Sequence, residues 1–153
     1  MAELLASPPL LLAFGFGSGR ARKAPGTFGT LAALPFAVLL LQLPLAAYLL
    51  VVLLAALVGI WLCKVASEHL NVHDHPGIVW DEFVGLWITF IAVPAEWYWL
   101  LVGFCLFRLF DIAKPWPIRW LDQHVHGGLG IMIDDILAGF FAWTCLQALN
   151  LLV

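Results

Sequence analysis

Two pairs of adjacent acids, Asp81–Glu82 in "DEFVG" and Asp134–Asp135 in "IDDILAG", stand in stretches that are otherwise apolar. Gathered carboxylates repel one another unless a cation or proton intervenes, and a ligand set made only of oxygen suits Mg2+. In "FRLFDIAKPWPIRW", Arg108, Asp111 and Lys114 follow at i, i+3 and i+6, so the first two share a helix face before Pro115 stops the helix. Arg offers a planar fork to phosphate oxygens and Lys a point charge. Acids able to hold a metal beside bases able to hold a phosphate are the parts of a metal-assisted phosphoryl hydrolysis. Plainer readings stand beside this one. Acids cap helix N-termini, where the dipole favours them, and cations at a membrane edge snorkel. A cap needs one acid per helix, however, and here there are two.

The segment "GFGSGRARKAPGTFGT" holds Gly15, Gly17, Gly19, Gly26 and Gly29 with Arg20, Arg22, Lys23 and Thr27, just before a helix. Backbone N–H groups at such a junction, at Gly26 and Thr27, can donate to phosphate. It is neither a Walker A motif nor a dinucleotide fingerprint, and a basic membrane-entry loop reads equally well. In "SEHLNVHDHP", Glu68, His69, His73, Asp74 and His75 include an i, i+4 histidine pair, yet no HExxH zinc motif is present, which favours a solvated loop.

These groups need a scaffold, and composition says which kind. The chain of 153 residues is 63% hydrophobic and only 11% charged, with a mean hydropathy of +0.99, whereas soluble domains are about a quarter charged. An all-α, polytopic membrane bundle in a single domain over residues 1–153 follows, with no room for a second domain. The N-terminus lacks a basic start and a small-residue cleavage site, so it reads as mature sequence. A net charge of −3 does not suggest a nucleic-acid partner. Cys63, Cys105 and Cys145 are isolated among apolar residues and read as buried small hydrophobes.

Apolar runs at 27–43, 44–66, 83–93, 97–110 and 130–153 predict about five membrane-embedded helices, with an interfacial helix near 4–16. The breaks at 42–44 and 94–96 are tight; those at 17–26, 67–82 and 111–129 are long and hold nearly all the chemistry. If each run crosses the membrane, the three long breaks emerge on one side. Every Lys and Arg lies in or beside them, which makes that side cytoplasmic. Glu96, flanked by Trp97, Tyr98 and Trp99, then sits at the opposite interface. The runs 83–93 and 97–110 are shorter than the roughly 20 residues a span needs, which leaves them either extended by flanking polar turns or set deep in a bundle.

A carboxylate at mid-membrane costs about 2.5–3.5 kcal/mol, so depth matters. With the last helix starting near Gly130, Asp134 and Asp135 lie about 6–8 Å inside it. Asp81, Glu82 and Arg108 reach the same level. A transporter's ion site belongs near the midplane, whereas an enzyme acting on a lipid headgroup needs its groups near the interface. Ala138, Gly139 and Gly85 lie one turn below the acids, and such small residues let two helices approach and bring the acidic pairs together.

Known covalent phosphatase motifs are absent: six residues after Cys63 stands His69 and six after Cys105 stands Asp111, so no Cys-x5-Arg exists, and there is no Asp-x-Asp. Four blocks, "GFGSGRARKAPGTFGTLAALPF", "DHPGIVWDEFVG", "FRLFDIAKPWPIRW" and "GGLGIMIDDILAGFFAW", spanning about 14 to 143, resemble the successive signature blocks of the phosphatidylglycerophosphatase A family. The resemblance implies a bacterial inner-membrane, Mg2+-dependent enzyme that converts phosphatidylglycerophosphate to phosphatidylglycerol and phosphate. It implies metal and catalytic roles for Asp81, Glu82, Asp134 and Asp135, and phosphate binding by Arg108 and Lys114. Asp111 is expected to orient Arg108, with Gly26 and Thr27 donating to phosphate. Many relatives carry a proline near Arg22–Lys23, where this chain is basic, so the role of the glycine loop stays open. A small transporter or channel with a carboxylate ion site is the competing class, and a structural subunit without a site is the third. Oligomeric state and metal count are not legible here.

Overall fold

In the computed structural model, which describes residues 7–152, the chain is all-helical, with no strand among the described residues. A short helix α1 (Pro8–Ala13) and a 3-10 turn (Gly15–Arg20) lead into α2 (Pro25–Leu40), α3 (Leu45–Leu70), α4 (Trp80–Thr89), α5 (Trp97–Ala113), α6 (Ile118–His124) and α7 (Gly127–Leu152). Local chemistry sets several boundaries. Pro25 occupies the first turn of α2, where its missing N–H costs nothing, after Ala24 turns the chain at φ 47°. Asn71 ends α3 in the left-handed region, which Asn tolerates better than most residues. Lys114 ends α5 in the same region, at φ 44°, its N–H bonded to the Phe110 carbonyl, and Pro115 prevents further helix.

Two helices, α3 and α7, are long and apolar enough to cross a membrane, each 26 residues; at 1.5 Å per residue that is about 39 Å against a hydrocarbon core of about 30 Å. The apolar helix α2 is shorter. The expected run 83–93 does not reach spanning length. It forms α4, ten residues and about 15 Å long, packed among α2, α3, α5 and α7 with Asp81 through Thr89 buried. Apolar content alone cannot distinguish a segment sheathed by protein from one sheathed by lipid.

Because α4 ends inside the bundle, its last carbonyls need donors. Tyr48 Oη on α3 donates to the Trp87 carbonyl at 2.7 Å, and in the turn that follows α4 the Ile91 carbonyl accepts from Trp143 Nε1 and Gln147 Nε2 on α7 at 2.9 and 2.8 Å. Trp80 and Trp87 reach outward to the carbonyls of Ala55 and Ala33. Large apolar side chains remain exposed on the outer surfaces, including Leu50, Leu53, Leu54 and Leu57 on α3 and Phe140 on α7.

The expected N-terminal helix occurs as α1, but Leu10 and Ala13 are buried and the helix packs on α3 rather than standing apart from the bundle; residues 4–6 of that expectation lie outside the described residues. All three cysteines are free, and only Cys63 is buried, whereas Cys105 is exposed and Cys145 half-buried. The bundle's two ends differ as the parity of the breaks predicts. Segments 17–26, 67–82 and 111–129 each contribute to one polar cavity, while the turns around Leu43 and Ala92 meet at a smaller, apolar-lined one.

Candidate functional site

The polar cavity, about 280 Å³, forms where four helices meet. The first turn of α4 supplies Asp81 and Glu82, placed where the unpaired N–H groups of a helix start favour negative charge. Asp81 Oδ1 accepts from the Glu82 N–H at 3.0 Å. The third turn of α7 supplies Asp134 and Asp135, the end of α5 supplies Arg108, Asp111 and Lys114, and the start of α2 supplies Gly26 and Thr30. The helices α4 and α7 touch backbone to backbone: a Cβ on Gly139 would overlap the Gly85 carbonyl, and one on Gly85 would lie 2.7 Å from the Asp135 carbonyl oxygen. That approach draws the two acidic pairs together. Gly26 is constrained in the same way, since a side chain there would overlap Glu82 Oε1.

Two charge clusters result. In the first, Arg108 Nη1 donates to Glu82 Oε1 at 3.2 Å, to Thr30 Oγ1 at 3.4 Å and to Asp111 Oδ2. Thr30 Oγ1 lies 2.9 Å from the Gly26 carbonyl and 3.3 Å from Glu82 Oε2, sharing its one proton between them. Carboxylate oxygens of Glu82, Asp111 and Asp135 all lie within 4.8 Å of one another. In the second cluster, Lys114 Nζ donates to Asp134 Oδ2 at 2.7 Å and to Asp122 Oδ1 at 2.9 Å. Burial disfavours that ammonium, but the hydrogen bonds and charge of Asp134 and Asp122 outweigh it and hold its pKa above the ordinary lysine value. Adjacent residues on a helix point about 100° apart, and the two aspartates divide accordingly. Asp134 turns to Lys114, and Asp135 turns to Glu82 and Asp111.

The donor set fits a divalent cation. It contains only carboxylate oxygens, the preference of Mg2+, and opposite donors about Mg2+ stand roughly 4.2 Å apart, a small contraction from the observed spread. Asp134 Oδ1, buried and without a hydrogen-bond partner, is a further oxygen in need of a positive charge.

Of the residues singled out from sequence, Asp81, Glu82, Arg108, Lys114, Asp134, Asp135 and Gly26 all line this cavity. Thr27 does not; the hydroxyl that enters the site belongs to Thr30, one helical turn beyond Gly26. Asp111 does pair with Arg108, and it also joins the carboxylate group. Asp122 and Asp74, neither of them singled out for the site, hold Lys114 and line the rim. Asp122 follows Lys114 by eight residues across two prolines, and no helical spacing relates them. The histidines take structural contacts: His73 Nε2 accepts from the Gly127 N–H at 2.9 Å and His75 Nδ1 from that of Gly77 at 3.0 Å.

The family model described as Phosphatidylglycerophosphatase A matches residues 11–150. Phosphatidylglycerophosphatase A of Escherichia coli K12 is 54% identical over 136 residues, covering 88% of this chain and 79% of that protein. The Haemophilus influenzae protein of the same name is 49% identical over 140 residues, covering 90% and 86%. A Bacteroides thetaiotaomicron protein, provisionally named a phosphatidylinositol-3-phosphatase, is 41% identical over 143 residues, covering 88% and 89%. No solved structure matches the chain significantly.

Proposed function

The chain belongs to the phosphatidylglycerophosphatase A family, and on that premise we propose how its residues hydrolyse phosphatidylglycerophosphate to phosphatidylglycerol and phosphate. The observation that carries the reading is the convergence of Glu82, Asp111 and Asp135 within 4.8 Å beside Arg108 and Lys114. Glu82, Asp111 and Asp135, with Asp81 and Asp134 adjoining, would hold Mg2+. When bound, the cation neutralises phosphate charge and lowers the pKa of water.

The protein's own groups do the rest. Arg108 and Lys114 bind the terminal phosphate and its developing charge. Asp134, whose Oδ1 is free of hydrogen bonds, takes the proton of the attacking water. The new P–O bond forms as the bond to the glycerol oxygen breaks; that oxygen takes a proton from solvent water to leave as the alcohol of phosphatidylglycerol, and Asp134 returns the proton it took to solvent. Thr30 and Asp111 position Arg108.

The same reading makes residues 1–153 one membrane domain. The long helices α3 and α7 cross the bilayer, α2 and α5 accompany them, and α4 is a buried half-helix. The basic end, which carries the site, faces the cytoplasm, and the membrane is the bacterial inner one. The acids open on a cavity lined by residues of all three polar segments, and that access from the basic side supports a headgroup enzyme over a transporter. The substrates named for the relatives share one chemistry, a phosphomonoester on a headgroup that is itself joined to diacylglycerol through a phosphodiester.

Purified protein in detergent micelles should release phosphate from phosphatidylglycerophosphate only when Mg2+ is supplied, and Asp135→Asn should abolish the release. Phosphatidylinositol 3-phosphate run in parallel ranks the two headgroups. No release from either lipid, with Mg2+ present and the protein folded, defeats the reading.

A further inference from the structure

Beside the catalytic cavity lies a second, of about 400 Å³, between the end of α5 and α6, and Lys114 lines both. Its walls include Trp116, Arg119, Trp120 and Gln123. Trp116 is 81% and Trp120 50% exposed, and indoles that keep an apolar body and a polar N–H in view gather at the membrane–water interface. On the same flank Ile112, 70% exposed, lines the catalytic cavity, with exposed Leu109 one turn before it. Exposed apolar side chains thus stand beside both cavities, which share Lys114.

Charge decides what the second cavity can hold. Lys114 already faces two carboxylates, Asp134 and Asp122, so another anion beside it needs another cation. Arg119 is exposed and takes part in none of the ion pairs found among the described residues. A guanidinium flanked by indoles at the interface matches a phosphodiester whose acyl chains remain in lipid.

We infer that this second cavity is the phosphodiester subsite and that Arg119 is a specificity-determining residue, gripping the diester while the terminal phosphate occupies the carboxylate cavity. The inference rests on the hydrolysis proposed above. It limits the substrate class to headgroups carrying both a diester and a terminal monoester. Phosphatidic acid, with its single phosphate on diacylglycerol, leaves the subsite empty.

The test uses Arg119→Gln in mixed micelles, with two inhibitors that divide the substrate. Phosphatidylglycerol keeps the diester but lacks the terminal phosphate, and inorganic phosphate does the reverse. The expected result is a KM for phosphatidylglycerophosphate raised about tenfold or more, as for loss of one charge-assisted hydrogen bond, with kcat little changed. Inhibition by phosphatidylglycerol should weaken in parallel, inhibition by phosphate should not, and Arg119→Lys should restore part of both losses. Equal weakening of both inhibitors, or of neither, overturns the subsite. So does a matching loss of inhibition by oleate, which is anionic without phosphate and would mark Arg119 as a sensor of surface charge. If the unaltered protein releases no phosphate from phosphatidylglycerophosphate, the hydrolytic reading falls and takes the subsite with it; release with an unaltered Arg119→Gln profile defeats the subsite alone.

Discussion

Replacing Gly85 by Ala adds a single methyl group where α4 meets α7. Its Cβ would stand 2.7 Å from the Asp135 carbonyl oxygen and press on the Phe107 ring. Ordinary contact begins at 3.4 Å, so the α7 backbone at Asp135 must retreat by about 0.7 Å. Ala is a better helix former than Gly by about 1 kcal/mol, whereas overpacking costs about 1–3 kcal/mol, so the net loss of stability is small, about 0–2 kcal/mol. Function does not share that compensation. Asp135 moves away from Glu82 and Asp111, and a misplacement of about 1 Å can cost roughly a hundredfold in rate. The expected outcome is a ten- to hundredfold fall in phosphate release with a higher Mg2+ requirement, while the thermal unfolding midpoint in detergent shifts by only a few degrees. Unaltered kcat/KM and unaltered Mg2+ dependence would refute the claim that glycine contact between these helices sets the carboxylate geometry. A fall in activity matched by wholesale unfolding would refute the energetic part.

Three further outcomes follow from the same contacts. Asp111→Asn should lower phosphate release by a hundredfold or more and should remove the thermal stabilisation that added Mg2+ gives a protein first stripped with chelator; full activity in excess chelator would exclude a required divalent cation. Lys114→Met strands Asp134, only 7% exposed, and should cost about 2–4 kcal/mol in unfolding measurements, with part of that recovered in the Lys114→Met, Asp134→Asn double variant; strict additivity would mean the pair is not coupled. Tyr48→Phe removes the hydroxyl donor to the Trp87 carbonyl, away from the polar cavity, and should cost about 1–2 kcal/mol while leaving the kinetic constants of the folded protein as they were.

Much of this arrangement was legible in the sequence, because the chain separates polar from apolar segments so sharply. The long breaks alternate with tight ones, so parity alone put 17–26, 67–82 and 111–129 at one end, and they share a cavity there. Small residues one turn from each acidic pair predicted the α4–α7 approach, and Gly85 and Gly139 make it. Other features depend on tertiary direction, which composition does not carry. The run at 83–93 is too short to span, which left extension by its flanking turns and a place deep in the bundle as alternatives, and only the packing of α4 against four helices decides for the second. Thr27 and Thr30 differ by nearly a full helical turn, but only the orientation of α2 decides which hydroxyl meets Glu82. Asp111 sits at the right spacing to hold Arg108 and does so; its second neighbour, Asp135, comes from a helix that begins beyond two prolines. Cys105 misled because apolar neighbours look alike whether they line a core or face outward.

The hydrogen bonds at the C-terminal end of α4 bear on how the protein is made. The Trp87 carbonyl is closed by Tyr48, which precedes α4 in the chain, and the Ile91 carbonyl of the turn after it by Trp143 and Gln147, which follow more than fifty residues later. A ten-residue segment has no route into a bilayer alone, and during synthesis this one must wait, half-capped, until α7 has emerged. Asp134 and Asp135 arrive on that same late helix. The same helix therefore brings the donors that close the Ile91 carbonyl and two of the acids of the proposed site, so on the proposed mechanism a chain that stops short of α7 lacks both at once.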